Sequence, residues 1–534
     1  MNTIHQFTGY RLLLFSRAKT CIHYMLIALV AATAASMNCS NMVAGYMDND
    51  RMAASSLHGQ LFAINSDTPY AYTTSVVLNI NAGSATEMRF RNMPDDWSEW
   101  EAYSEIKNWM LVYGNGTKTV EGEFRDSTGS VITMSDSIVF IDRITAMDGR
   151  SDHKFGSSVA ISSDGNIVAV GVPAYNSNRG AVYVYYFNGS GWEPIQILSN
   201  AADSEARAGD ALGYSVTISG DGNYITAGAP GFNNSRGAAY LFKKDYSGPG
   251  EWGLRAKIVA TGGVLNDRFG YSVGVSYNGS VIISGSPWSG RAGRVFVFRQ
   301  NDSSWIEDAT LAASDGIEND QFGCAVSISA DGNTIAAGAM EHRVGTSQAQ
   351  GAAYLYRRDG ASWHETAFTA SNGRAEDYFG SSVSISADGN TVCVGAYEHD
   401  GTGGLYGLGC AYMYVRVDGT WSEARLIAPD GADNDYFGRC VSISPDGSIL
   451  AVGAWGHATG AGRTGSVYMF ERDPGGVGAW YPIVALSAPD GAPGDQFGFT
   501  VAVSSEGSVI TGAIEDDTGP GENQGSVYVF KNSF

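Results

Sequence analysis

A Phe-Gly pair recurs at Phe155, Phe269, Phe322, Phe379, Phe437 and Phe497, with Leu212-Gly213 at the remaining step. One unit is therefore written seven times, at a spacing of roughly 55 residues. In the sixth copy it continues as the alternating Val441-Ser442-Ile443-Ser444, an Asp446-Gly447 turn and an apolar run ending at Gly453-Ala454. This is the pattern of a β-hairpin. A third run bearing Tyr or Phe follows, as in Val467 to Phe470, and then a Trp opens a short fourth run. Those tryptophans are Trp192, Trp252, Trp305, Trp363, Trp421 and Trp480. A unit of this size stacks on its neighbours. Four strands in each of seven units predict an all-β, seven-bladed β-propeller. Residue size rises from Gly, Ala, Ser and Val in the first two runs to Tyr, Phe and Trp in the last two, as blades that widen away from an axis require.

The Phe-Gly pair is followed by Gly-Ala-Pro in full at Gly228-Ala229-Pro230, and by Gly338-Ala339-Met340, Gly395-Ala396-Tyr397 or Gly453-Ala454-Trp455 in other copies. This pairing resembles the FG-GAP repeats of integrin α-subunit propellers, over residues 138 to 534. The resemblance implies an extracellular binding or adhesion module that presents varied loops to a protein or glycan, and not an enzyme. Two other readings stay open, because a fold does not dictate a function: a lectin-like or hydrolytic propeller acting on polysaccharide, and a structural surface or matrix protein.

The seventh copy stops after its third strand. The segment before the first Phe-Gly aligns with fourth strands elsewhere: Arg143-Ile144-Thr145-Ala146-Met147-Asp148-Gly149 lies over Arg425-Leu426-Ile427-Ala428-Pro429-Asp430-Gly431. Residues 138–146 are therefore expected to complete the seventh blade.

Upstream, Arg11, Arg17 and Lys19 precede an apolar run from Tyr24 to Ala35 that ends in small residues, which reads as a signal peptide over 1–36. The run is too short to span a bilayer, and no membrane insertion is expected. A linker or disordered stretch is expected over 37–67. Residues 68–137 alternate apolar and polar in short runs, which predicts a small N-terminal β-sandwich. The segment from Met88 through Trp97-Ser98-Glu99-Trp100 to Phe124-Arg125-Asp126 resembles immunoglobulin-like modules of bacterial surface proteins, with its aromatics expected in the core.

Acidic residues number 55 against 33 basic, a net charge of −22. That balance argues against nucleic-acid partners. Four cysteines fall in the repeats, and Cys393 and Cys410, on consecutive strands of one blade, are a candidate disulfide, with small buried thiols as the alternative. Sequons stand at Asn38, Asn115, Asn188, Asn233, Asn278 and Asn301, and all but Asn38 are candidate glycosylation sites in predicted loops or turns.

Two sets of polar residues repeat. Integrin-type repeats hold calcium at the hairpin turn, but here the fourth copy keeps only Asp331, with Ser327, Ser329 and Ile335 at the other ligand positions. A cation that takes roughly six to eight oxygens is poorly served by that set. The Asp-Gly pairs are read as tight turns, with no cofactor and no calcium needed for folding. The second set lies two residues before Phe-Gly and includes Asp320, Asp377, Asp435 and Asp495. These aspartates share a face with the loops that carry His342, His399, His457 and Asp516. Capping of the loop backbone is one role for the aspartates. A ligand-binding rim is the other, and the eight residues together are its candidates.

Overall fold

The computed structural model describes residues 61–302, 304–401, 404–473, 478–518 and 522–531. The signal-like stretch 1–36, Asn38 and the linker up to residue 60 lie outside the described residues. The chain divides into two compact units, one holding Ser75–Trp109 and Lys118–Ile138, the other Pro69–Thr74, Met110–Thr117 and Val139–Phe534.

The smaller unit packs two sheets on an aromatic core. Leu61–Ile64, Ser75–Asn81 and Ile106–Met110 form one sheet, and the other contains Val131–Phe140, Gly116–Asp126, Ala85–Asn92 and Glu101–Ala102. Alternation buries Val76, Leu78 and Ile80 against Phe62, Phe90 and Phe124, whose ring centroids lie 5.9–6.2 Å apart. The first strand begins at Leu61, inside the expected linker, because a four-residue run is too short to show a period on its own. Trp97 and Trp100 also depart from expectation. They cover Arg89, Arg91 and Arg125 at 4.3–5.1 Å outside the core, while each arginine pairs with a glutamate of the adjacent strand at 2.6–2.7 Å.

In the larger unit the described residues form seven four-stranded antiparallel sheets. The sixth sheet, Cys440–Ile443, Ile449–Ala454, Ser466–Arg472 and Trp480–Leu486, follows sequence order and stands for the rest. The first strands touch one another in cyclic order, the last against the first. Phe437 is fully buried and meets Tyr468 and Phe470 edge-on at 5.6 and 6.0 Å. The second signature is explained by close approach. A Cβ on Gly453 would stand 2.0 Å from the carbonyl oxygen of Gly498 in the next sheet, so only glycine fits there.

Hydroxyls near the start of the first strands latch neighbouring sheets together. Ser158 donates to the Gly213 carbonyl at 2.9 Å, Ser215 to Gly270 at 3.1 Å, Ser272 to Gly323 at 2.8 Å and Ser382 to Gly438 at 2.9 Å. Thr500 of the last sheet donates to Gly156 of the first at 2.9 Å.

The last sheet is completed from upstream. Arg143–Thr145 pairs antiparallel with its third strand, Arg143 opposite Tyr528, Ile144 opposite Val527 and Thr145 opposite Ser526. This strand is narrower than 138–146, because Val139 and Phe140 pair in parallel with Tyr70 and Ala71.

The candidate disulfide does not form. The ladder sets Cys393 opposite Met413 and Cys410 opposite Ala396, three positions out of step, and both are free buried thiols. Among the sequons, Asn188, Asn233, Asn278 and Asn301 are exposed. Asn115 is not available for a glycan, because its amide donates to the Val529 carbonyl at 2.6 Å and accepts from the Asp142 N–H at 2.6 Å.

Candidate functional site at the axial mouth

The hairpin turns spend their polar groups on themselves. Asp331 accepts from the Ser329 hydroxyl at 2.6 Å and the Asn333 N–H at 2.9 Å, and Asp164, Asp388 and Asp446 repeat the motif. The serine hydrogen bonds hold these carboxyls below the usual range, against the opposing effect of burial. No group of three or more metal-ligating side chains occurs among the described residues.

At the opposite end of the same hairpins, Asp320, Asp377 and Asp435 are buried, and each accepts a backbone N–H from three residues earlier at 2.7 Å. Each also meets a histidine Nδ1 at 2.8 Å: Asp320 with His342, Asp377 with His399, Asp435 with His457. A second aspartate five residues before the buried one takes a tyrosine hydroxyl from the third strand, Tyr354 donating to Asp315 and Tyr468 to Asp430, both at 2.6 Å. The hydrogen bond to Asp435 raises the His457 pKa. In the seventh sheet Asp516 takes the histidine position, and burial pushes Asp495 up to about 6. The structure thus buries all eight expected rim residues, six of them in three Asp–His pairs each confined to one sheet, while Asp495 and Asp516 are like charges near one another in the seventh.

The residues those loops carry upward are different ones. Tyr378 and Tyr436 immediately precede Phe-Gly, Arg439 and Phe499 immediately follow it, and Tyr397 and Trp455 follow Gly-Ala. They converge. Tyr378 stacks on Tyr397 at 5.6 Å, Tyr397 meets Tyr436 at 6.2 Å, and Tyr436 stacks on Trp455 at 4.9 Å. The Arg439 guanidinium lies 5.6 Å from the Tyr397 ring and 5.3 Å from that of Phe499. A second group comes from the second and third sheets, with Tyr214 against Tyr271 at 4.9 Å, Tyr271 against Trp288 at 5.1 Å, and Arg268 over Trp288 at 4.5 Å.

Between the groups opens a cavity of about 530 Å³ on the axis, with a valine from each sheet, Val159 through Val501, in its wall. Burial pushes the Tyr397 phenol up to about 12 despite the Arg439 charge beside it. Burial and Tyr214 raise the phenol of Tyr271, which also feels Arg439. At the outer edge, burial raises the carboxyls of Glu341 and Glu398, with the charge of Glu376 adding to both. Arginine and aromatic side chains around a water-accessible concavity are suited to stacking on a ligand and hydrogen bonding with it. Sequence reading missed this mouth because it sought what the copies share. The signal was where they differ, at the residues flanking the two signatures.

A family model described as FG-GAP repeat matches residues 139–185, 252–298, 305–356, 363–414, 421–470 and 480–530, together more than half of the chain. No curated protein matches it in sequence. Among solved structures, Kuenenia stuttgartiensis hydrazine synthase is similar at 13% identity and a TM-score of 0.46, over 69% of this chain and 95% of that one. Sqt1 from Chaetomium thermophilum gives 17% and 0.41, over 71% and 86%. The periplasmic gluconolactonase PpgL of Pseudomonas aeruginosa gives 14% and 0.41, over 71% and 94%.

Proposed function

Since this chain belongs to the FG-GAP repeat family, we propose that it is a closed seven-bladed propeller serving as an extracellular binding and adhesion protein, with the axial mouth as its glycan site. The seven sheets, the Thr500 latch to Gly156 and the completing strand Arg143–Thr145 support the closed ring. An immunoglobulin-like identity for the smaller unit rests on its two sheets and on the resemblance of residues 88–126. Secretion rests on the leader pattern in residues 1–36, and glycosylation at Asn188, Asn233, Asn278 and Asn301 goes with it. Among the described residues no helix is long and apolar enough to cross a membrane.

The observation that carries the glycan reading is the run Tyr378, Tyr397, Tyr436 and Trp455, which reaches the cavity wall at Tyr397. The face of an aromatic ring is negative and the axial C–H groups of a pyranose are slightly positive, so sugar rings lie flat on such surfaces. The proposed role is binding and not catalysis, with no metal or other cofactor required. The test is a screen of the full chain against immobilised neutral and acidic oligosaccharides, followed by titration of the hits. Saturable binding that falls about tenfold or more in Tyr397→Ala and Trp455→Ala, with unchanged melting temperature, supports the reading. Absence of saturable binding to any glycan overturns it.

A further inference from the structure

The charge of the cavity lining runs against the charge of the chain, with the carboxylates Glu341, Glu376 and Glu398 kept to the outer edge of the mouth. Acidic residues outnumber basic ones 55 to 33 overall, yet the lining of the 530 Å³ cavity contains Lys154 and Arg439 and no carboxylate. Lys154 is matched by Glu515 at 2.9 Å. Arg439 meets only rings. Its guanidinium has no carboxylate or other hydrogen-bond acceptor among the described residues, and Tyr397 and Phe499 hold it at the opening.

The serine and threonine hydroxyls of the wall already donate to backbone carbonyls. Besides the five latching hydroxyls, Ser157 donates to the Lys154 carbonyl at 2.6 Å and Ser381 to the Gly395 carbonyl at 3.3 Å. Every serine and threonine hydroxyl lining the cavity is thereby committed to backbone. Beside the phenol groups of Tyr214, Tyr271 and Tyr397, the wall offers a ligand one forked cation set among aromatic faces, partly withdrawn from water, where an opposite charge is attracted more strongly than in bulk solvent. A neutral sugar offers that fork hydroxyl oxygens but no opposite charge.

The geometry points to a carboxylated sugar, a uronic acid residue of an acidic polysaccharide, as the group this mouth selects, with Arg439 as its carboxylate reader. This rests on the glycan reading above and adds the substrate class. A guanidinium presents two parallel N–H donors, and the planar pair of oxygens of a carboxylate matches them in a bidentate contact. The uronate ring then lies beside Tyr397, the ring nearest Arg439 in the cavity wall together with Phe499. The pair is partly screened by solvent, so its main effect is on selectivity between an acidic sugar and its neutral counterpart.

The experiment titrates the full chain with galacturonate, glucuronate and mannuronate oligosaccharides, with the same oligosaccharides after carboxyl reduction, and with sulfated oligosaccharides of equal length. Tighter binding of at least one uronate than of its reduced form, by about tenfold or more and weakening with salt, is the expected result. In Arg439→Gln the ratio of uronate to neutral affinity falls to about one. In Arg439→Lys, which keeps the charge but not the fork, it falls to an intermediate value, with melting temperature confirming that both variants fold. If the reduced oligosaccharides bind as well as the uronates, the selectivity for acidic sugars is overturned while the glycan site stands. If sulfated oligosaccharides bind more tightly than every uronate, the carboxylate assignment is overturned. If the ratio survives in Arg439→Gln, the reader is another residue and the inference fails.

Discussion

The sixth and seventh sheets share one plan and solve one problem differently. In the sixth, all four strands come in sequence order from a single stretch of chain, and the buried Asp435 is answered by His457 at 2.8 Å. In the seventh, the histidine position holds Asp516, so Asp490, Asp495 and Asp516 crowd together, and the fourth strand is supplied from hundreds of residues upstream. That strand brings the missing cation. Arg143 lies 2.6 Å from Asp490 and 3.9 Å from Asp516, and the single Tyr528 hydroxyl stands between the same carboxylates, 2.9 Å from Asp490 and 3.1 Å from Asp516. The seam is thus a compensated variant of the repeat, in which the strand that completes the sheet also completes its charge balance.

Four measurements probe this difference. The largest effect is expected from deleting the seam strand. A chain beginning at Asp148 exposes the edge of the seventh sheet, and it should aggregate or melt far below one beginning at Ser135. Equal melting and a monomeric state for both would show that the strand is dispensable.

Next, Arg143→Ala should cost about 3 kcal/mol in denaturant unfolding, because it leaves buried carboxylates without their cation. A loss below about 1 kcal/mol would place the pair among those that contribute little.

Third is pH. His457 has a raised pKa in the folded protein, so its contribution is fully present below the unfolded value of 6.5 and fades as pH rises through the folded value. Burial pushes Asp495 up to about 6 from 3.8, so it also favours the protonated form, and the seventh sheet gains stability as pH falls from about 6 toward 4. The destabilisation caused by His457→Gln should therefore be greater at pH 5.5 than at pH 8. Asp495→Asn should stabilise at pH 8 and lose that advantage near pH 4. Parallel pH profiles for wild type and both variants would remove the titrating groups from the comparison.

The smallest effect is expected from chelation. The Ser444 and Asp446 turn of the sixth sheet and its Ser504 counterpart in the seventh are closed by their own hydrogen bonds. EDTA should leave the melting temperature within a degree or so, and a drop of several degrees would reveal a site these turns do not show.

Much of this architecture was legible because a repeat prints its rules seven times. The Phe-Gly and Gly-Ala signatures, the outward increase in side-chain size and the upstream completing strand all followed from aligning the copies. Two things did not. The aspartates and histidines looked like a rim, although His342, His399 and His457 each stand 22 residues after their aspartates, and a fixed separation of that kind marks an internal pair. The mouth was hidden for the opposite reason. Tyr378, Arg439 and Trp455 occupy positions where the copies disagree, and no periodicity can announce a residue that occurs once. Leu61–Ile64 was missed because a strand of four residues takes its identity from its partner, Ser75–Asn81.

The seam has a mechanical consequence. Arg143 lies opposite Tyr528 in an antiparallel pair, so the chain arrives at the seam and departs from it at the same end of the ladder. Tension applied to the flanking segments acts across the rungs and breaks them one after another, as a zip opens, where a ring loaded in shear would resist with all its rungs together. Pulled from those segments in a force spectrometer, the protein should yield first at Arg143–Thr145 and at low force. The six self-contained sheets would then peel away in order, beginning with the two that flank the opened joint.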